Sequence, residues 1–439
     1  MTDSSPASEE DAPAEPITAR EVDRIRRDFP ILERRVRSGR RLVYLDTAAT
    51  AQRPVCVSAA MTSFSSASYG AVHRGAHRLA EEATDAFEEA RTRVARFFGV
   101  AGDEIVFTSG TTAALNLVAF ALAEIAAGPA TGSAVPVIRP GDRILLTEAE
   151  HHANLVPWQR LARRTGADLA WIRLGPDGRL GLDDLDTLVT PRTRVIAFTH
   201  ASNVTGAITD VARLVAAARA VGAMTVLDAA QSAPHLPVDF RALGVDVAAV
   251  SAHKMLGPTG IGALYGRAEI LDALPPVATG GSMVEIVTMT EATFQPPPAR
   301  FEAGTQAVTE AVGWAAALDY LSHLGMDRVA AREATLTARL LAGVAGLDGV
   351  RVLGPDRAVA RTGAVAVEIA GVHPHDAGQY LDDLGIAVRV GHHCAQPVHR
   401  ALGVTASTRA SLGVYTTEAE VDAFVEALGE VRAYFGAAR

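Results

Sequence analysis

Between residues 143 and 253 the chain alternates short β-rich runs with helical ones, and this alternation restricts the fold more than any other feature. "RILLT" (143–147), "LAWIRL" (169–174), "RVIAFTH" (194–200), "MTVLDAA" (224–230) and "VDVAAVSAH" (245–253) read as buried strands. Between the third and fourth lies "VARLVAAARAVG", apolar at helical spacing and closed by a glycine. The pattern predicts an α/β domain with a mainly parallel sheet. In such sheets ligands gather at the carboxyl ends of the strands, and the polar clusters of this chain sit just past those ends.

Beyond Gly304 the texture changes. Long Ala- and Leu-rich helical segments (310–324 and 328–345) lead to the strand "GAVAVEIA", another helix and strand, and then "VRVGHHCAQPVH". The expected layout is an acidic disordered tail over 1–17, a segment over 18–45 packing with a small domain, a large domain over 46–305, and a small α+β domain over 306–439. The Gly- and Pro-rich stretch 128–142 reads as a surface insertion.

Composition narrows the chemistry. The chain has 41 basic and 50 acidic residues, a net charge of −9, which argues against nucleic acid or an anionic membrane as partner. The acidic N-terminal stretch has no apolar core and does not read as a signal peptide. The apolar run 113–127, broken by Asn116 and Glu124, is too short and polar to span a bilayer. Two cysteines, Cys56 and Cys394, form no disulfide framework, so a reducing, cytoplasmic location is expected. Among the basic residues a single one is lysine, Lys254; all others are arginine. Drift towards arginine explains most of this. Arginine, however, stays protonated and cannot form a Schiff base with an aldehyde, whereas a buried lysine can.

"SAHKMLGPTGIGALYG" delivers Ser251, His253 and Lys254 to the end of a strand. An aldehyde cofactor on Lys254, pyridoxal phosphate being the obvious one, needs a carboxylate for its pyridinium nitrogen. Its phosphate needs donors at a helix start. Asp228 in "TVLDAAQ" meets the first need. In "FTSGTTAALNLV", Gly110, Thr111 and Thr112 between strand and helix meet the second. Each alone is a common cap; together, in order on one sheet, they form a constellation.

At this point a family resemblance is plain. "YLDTAATAQRP", "VHRGAHRLAEEAT", "EHHANLVPWQ", "HASNVTGAI", "LDAAQSAPHLPVDF", "SAHKMLGPTGIGALYG", "RFEAGTQ", "VRVGHHCAQP" and "TRASLGVY" resemble, in order, the signatures of the group II (Suf-type) cysteine desulfurases. These are close to selenocysteine lyases and belong to the class V branch of the fold-type I pyridoxal phosphate-dependent transferases. The match spans about Tyr44 to Tyr415. It implies a large cofactor-binding domain around a mainly parallel, seven-stranded type of sheet, a smaller α+β domain, and a homodimer. It also implies a role for each matching position. Lys254 carries the cofactor, Asp228 partners the pyridinium, Gln231 donates to the phenolic oxygen, and His151 stacks on the ring. Thr111, Thr112, Ser251 and His253 hold the phosphate, with Thr305 reaching in from the neighbouring subunit. Asn203, Arg389 and Arg409 hold the substrate carboxylate, and Cys394 takes the sulfur.

The implied reaction converts L-cysteine to L-alanine and leaves a persulfide on Cys394 for a protein acceptor, in iron–sulfur assembly or another sulfur pathway. Lys254 would move a proton at the substrate Cα. Gly391 would give the cysteine loop freedom, and His392 and His393 would favour the thiolate. No metal is expected, although a site from His373, His375, His392, His393 and Cys394 is an alternative, as is a buried structural Cys394. The choice between His151 and His152 for the stacking position rests on the resemblance alone. Cys56 reads as structural. Ser109 and Ala113 stand where relatives often carry charge, which bears on a dimer or partner surface. Selenocysteine lyase activity, another class V reaction (transamination, epimerisation, desulfination) and a non-catalytic binding protein are the competing functions.

Overall fold

A computed structural model describes residues 14–128 and 134–436. Most of the expected acidic tail and the middle of the 128–142 stretch lie outside the described residues. Seven strands form the central sheet: β1 (Ile105–Thr108), β2 (Arg143–Thr147), β3 (Asp168–Ile172), β4 (Thr193–Thr199), β5 (Met224–Asp228), β6 (Val247–Ser251) and β7 (Gly262–Gly266). Their spatial order is β1-β7-β6-β5-β4-β2-β3. β2 to β6 pair in parallel, while β7 runs antiparallel to both β6 and β1.

The near-continuous apolar runs of β4, β5 and β6 follow from burial on both faces. Ile196, Phe198, Leu227, Ala248 and Val250 enter the core on one side of the sheet. Their neighbours Val195, Ala197, Val226, Val247 and Ala249 enter the core on the other. The first face is covered by the helices Arg78–Phe97, Val211–Val221 and Val308–Leu324, the second by Thr111–Ala127 and Val156–Thr165. Phe198 and Leu227 are fully buried, each contributing roughly 1.5–3 kcal/mol. β3 differs from the expected buried strand. It closes the sheet as an edge, and Trp171 is left 47% exposed.

A second sheet is antiparallel: β8 (Val350–Leu353), β9 (Ala364–Ile369), β10 (Arg389–Gly391) and β11 (Ser407–Ser411), ordered β8-β9-β11-β10. The helices Met326–Ala345, Pro374–Asp383 and Glu418–Tyr434 cover it through Leu336, Leu340, Leu381, Phe424 and Leu428. The helix Val308–Leu324 lies past the 305/306 boundary expected from sequence, yet it packs on Val55–Ala67 and Arg78–Phe97. The passage to the second sheet is made at Gly325, whose φ of 81° ends that helix. In the 18–45 segment, Val43–Tyr44 pairs in parallel with Ile386–Ala387. Arg26 donates to the Tyr415 carbonyl at 2.6 Å and to Glu420 at 2.9 Å. The 128–142 stretch is not wholly superficial, since Val135 and Ile138 are buried in the large core. The two sheets meet where the carboxyl ends of β4, β5 and β6 face β10 and the loop after it.

Candidate active site

At that meeting lies a cavity of ≈ 290 Å³ lined by Thr111, Thr112, His151, Asn203, Asp228, Gln231, Ser251, His253, Lys254, Arg389, Cys394 and Arg409, together with His393 and several alanines. Every residue to which the resemblance assigns a role therefore lines this one cavity, except Thr305; His392, expected to favour the thiolate, does not line it. Thr305 lines a separate cavity of ≈ 550 Å³ with Phe107, Ser109, Ala113 and Gly260.

The phosphate end is built by close backbone approach. Gly110 adopts φ 139° at the start of the helix Thr111–Ala127. Thr111 N–H donates to Ser251 Oγ at 2.9 Å, and the two hydroxyls are 2.8 Å apart. A Cβ on Gly262 would sit 2.3 Å from the Val250 carbonyl oxygen and 2.7 Å from Gly110 Cα. Only glycine there lets β7 close against the helix start. Hydroxyls, His253 and a helix N-terminus converge, as an anion requires.

The middle of the cavity is electrostatic. Burial pushes Asp228 above the ordinary carboxylate range, opposed by the Ala230 N–H that its Oδ1 accepts at 3.0 Å and by the Lys254 charge. Burial pulls Lys254 down to about 8, with Asp228 acting in the opposite sense. His151 is pulled down to about 3, first by burial and then by Lys254. Its Nδ1 accepts the Ala153 N–H at 3.0 Å, so the neutral ring carries its proton on Nε2. Gln231 is pinned by donating Nε2–H to the Ala48 carbonyl at 2.8 Å. A cationic aromatic ring fits this set: a buried carboxylate lacking a full counter-charge, a flat neutral imidazole, and an amine whose desolvation makes it easier to deprotonate.

At the carboxylate end, Arg389 and Arg409 sit opposite each other across β10 and β11. Like charges in that register repel, and Asp46 resolves the conflict. It pairs with Arg389 at 2.9 Å and with Arg409 at 3.3 Å. Arg409 also donates Nη1–H to the Asn203 carbonyl at 2.9 Å. Its Nε–H is buried and has no hydrogen-bond partner among the described residues. Asn203 Nδ2 donates to the His393 carbonyl at 2.6 Å, so this amide holds the cysteine loop as well as facing the cavity.

Cys394 is exposed at the cavity wall, not a buried structural thiol. His393 and Cys394 both adopt left-handed φ, 52° and 55°. The Cys394 carbonyl accepts His152 N–H at 2.7 Å, and Gln396 N–H reaches His152 Nε2 at 3.3 Å. His151 thus faces the cavity while His152 braces the loop. The expectation that His393 supports a thiolate by charge is corrected. Burial and the Arg409 guanidinium pull it down to about 2, so the ring is neutral at any working pH. The positive charges near the thiol are Lys254 and Arg409, whose own ionisation a Cys394 thiolate favours. Among the described residues no group of three or more His, Cys, Asp or Glu is arranged to hold a metal. Cys56, read as structural, is exposed.

Sequence reasoning passed over two residues. Asp46 lies inside the quoted "YLDTAAT" but was given no role. Glu150 is buried behind His151, accepting from Thr147 Oγ1, from Asn154 Nδ2 at 2.6 Å and from Thr199 N–H at 2.9 Å. Burial and nearby Asp228 push it up to about 8. Its signal was a carboxylate directly before the histidine pair at a strand end.

The family model described as aminotransferase class-V matches residues 43–424. A probable cysteine desulfurase 2 from Mycobacterium leprae is 51% identical over 96% of this chain and 99% of its own. The apo structure of a cysteine desulfurase from Thermococcus onnurineus NA1 superposes with a TM-score of 0.86 at 38% identity, covering 93% of this chain and 97% of that one. A cysteine desulfurase from Escherichia coli in an S-sulfonic acid form superposes with a TM-score of 0.84 at 38% identity, covering 94% and 98%. The chain belongs to the class V aminotransferase family, among the cysteine desulfurases.

Proposed function

We infer that the protein is a pyridoxal phosphate-dependent cysteine desulfurase: L-cysteine and the Cys394 thiol give L-alanine and a persulfide on Cys394. The observation that carries this is the pairing of the lone lysine and the exposed cysteine in one cavity. Pyridoxal phosphate, when bound, supplies an electron sink that weakens the substrate's Cβ–S bond. Thr111, Thr112, Ser251 and His253 would hold its phosphate, Asp228 its ring nitrogen, Gln231 its phenolic oxygen and His151 its face. Lys254 would carry it and move a proton at the substrate Cα. The substrate carboxylate would meet the Arg409 guanidinium, with Asn203 and Arg389 beside it. Cys394 Sγ attacks the substrate sulfur, forming the S–S bond as Cβ–S breaks, and the departing carbon takes up a proton to become alanine.

Group II character rests on the order of the motifs and on "GHHCA". A homodimer is supported by Thr305, which lies outside its own chain's cavity and is free to complete a neighbour's. The hairpin Val284–Val287/Ala292–Phe294 also leaves Ile286, Val287 and Met289 exposed. A protein sulfur acceptor fits an exposed Cys394, and persulfide chemistry fits a reducing cytoplasm and iron–sulfur assembly. Among the described residues no helix is long and apolar enough to cross a membrane. Mass spectrometry of the protein after L-cysteine should find one additional sulfur on Cys394 and equimolar alanine. Alanine formed at the wild-type rate by Cys394→Ala would reject the persulfide route in favour of another class V reaction.

A further inference from the structure

The residue before Cys394 is tied into a hydrogen-bond chain that the overall reaction does not itself require. His393 Nε2 lies 2.9 Å from Ser407 Oγ, which lies 2.9 Å from His399 Nε2. His399 Nδ1 lies 3.0 Å from the Ala395 carbonyl oxygen. All three side chains are buried. The carbonyl fixes the direction of the chain. It can only accept, so His399 donates from Nδ1. Burial pulls the His399 pKa down, which leaves the ring neutral and its Nε2 a bare acceptor. The Ser407 hydroxyl hydrogen fills that acceptor, and Ser407 Oγ then accepts from His393 Nε2–H. His393 Nδ1 is left unprotonated. It is buried and has no hydrogen-bond partner among the described residues.

The opposite tautomer would put an N–H at that atom. Arg409 Nε–H is already a buried donor without a partner, and the Arg409 charge acts directly on His393. A second stranded donor beside a cation is unfavourable on both counts, whereas a lone pair there is attracted.

We propose that His399 and Ser407 are positioning residues that lock His393 in its Nε2–H tautomer and thereby hold the left-handed His393–Cys394 turn at the cavity wall, where sulfur transfer occurs. The consequence for turnover rests on the desulfurase reading; the tautomer itself does not.

The cofactor-loaded full chain, labelled with ¹⁵N-histidine, reports each ring's tautomer by long-range ¹H–¹⁵N correlation, with His393→Gln providing the assignment. Wild type should show His393 protonated on Nε2. In His399→Leu the Ser407 hydroxyl competes for His393 Nε2 against the preference set by Arg409, so the Nδ1–H tautomer of His393 should become populated. Alanine turnover should then fall about 10–100-fold in kcat, from displaced reacting groups, while KM for L-cysteine changes by less than about twofold. His399→Gln and Ser407→Thr, which keep the acceptor and the hydroxyl, should restore both readouts. If His399→Leu does not fold, Ser407→Ala serves instead, and His393 should then lose its single tautomer. A wild-type His393 protonated on Nδ1, or either variant leaving tautomer and kcat untouched, overturns the proposal. A wild type that yields no alanine defeats the desulfurase reading instead, and the tautomer measurement still decides this one.

Discussion

The strand end that carries Lys254 and the loop that carries Cys394 face one cavity and are made in opposite ways. Lys254 follows β6, whose five residues are all buried, all paired with β7 and, over Val247 to Ala249, paired with β5 as well. Its reactivity comes from desolvation, which pulls the amine down to about 8. Cys394 is exposed and stands on two consecutive left-handed residues, a conformation that costs about 1–3 kcal/mol for each non-glycine residue. Hydrogen bonds from Asn203 and His152 to the carbonyls of His393 and Cys394 offset part of that, about 0.5–1.5 kcal/mol each. A buried site on strands tunes a pKa without strain. A loop that must meet both a substrate and a sulfur acceptor keeps its nucleophile accessible and is held by a few polar contacts.

The contrast breaks most sharply under substitution of the two reactive groups. Lys254→Arg keeps the charge and removes the amine nucleophile. It should lose the visible absorbance of lysine-bound cofactor and lower alanine formation by at least about 10³-fold. Cys394→Ser should lower turnover comparably while leaving cofactor absorbance intact, because none of the residues assigned to the cofactor lies on that loop. Absorbance spectra beside an alanine assay check both. Loss of cofactor from Cys394→Ser would show that loop and floor are one unit.

Electrostatics sharpen the floor's side of the comparison. The protonated Lys254 amine cannot attack an aldehyde, and its folded pKa lies near 8 instead of the ordinary 10.5. The rate at which apo-protein takes up pyridoxal phosphate should therefore rise about tenfold per pH unit below that value and level off above it. The Asp228 carboxylate raises the lysine pKa against the dominant effect of burial. Removing it in Asp228→Asn should shift the midpoint to lower pH, although the complex formed should be less active. Stopped-flow uptake from pH 6 to pH 10 measures both curves, and a midpoint above about 10 would mean the amine is not desolvated.

These two regions were not equally legible in the sequence. β2, β4, β5 and β6 were read to within two residues, because burial on both faces makes their apolar runs continuous. The edge strand β3 was read as buried, since a run of apolar letters does not say whether a neighbour pairs beyond it. Lys254 was legible through scarcity and Asp228 through its strand end. Whether a histidine is charged depends on burial and on cations brought from elsewhere in the chain. That is why His393 reads as a support for the thiolate in the sequence, where neither its burial nor the nearness of Arg409 from β11 is visible. Asp46 was opaque for a related reason: its role exists only once β10 and β11 set two arginines face to face. Thr305 could be matched to a motif, but a single chain does not bring it to the cavity it was expected to serve.

The smallest effect separates the polar contacts that hold the loop. Asn203→Ala removes the 2.6 Å hydrogen bond to the His393 carbonyl and leaves that buried acceptor unsatisfied, a loss of about 1–3 kcal/mol. Single-turnover persulfide formation should fall by about tenfold or more. His152→Ala deletes only the 3.3 Å contact from Gln396 N–H. The 2.7 Å bond to the Cys394 carbonyl comes from the His152 main chain and survives the substitution. Its effect should stay within about threefold, in line with a weak, partly exposed hydrogen bond. Equal losses in the two variants would mean that the histidine ring shapes the turn by packing, and that the left-handed conformation is held by shape, not by its carbonyl acceptors.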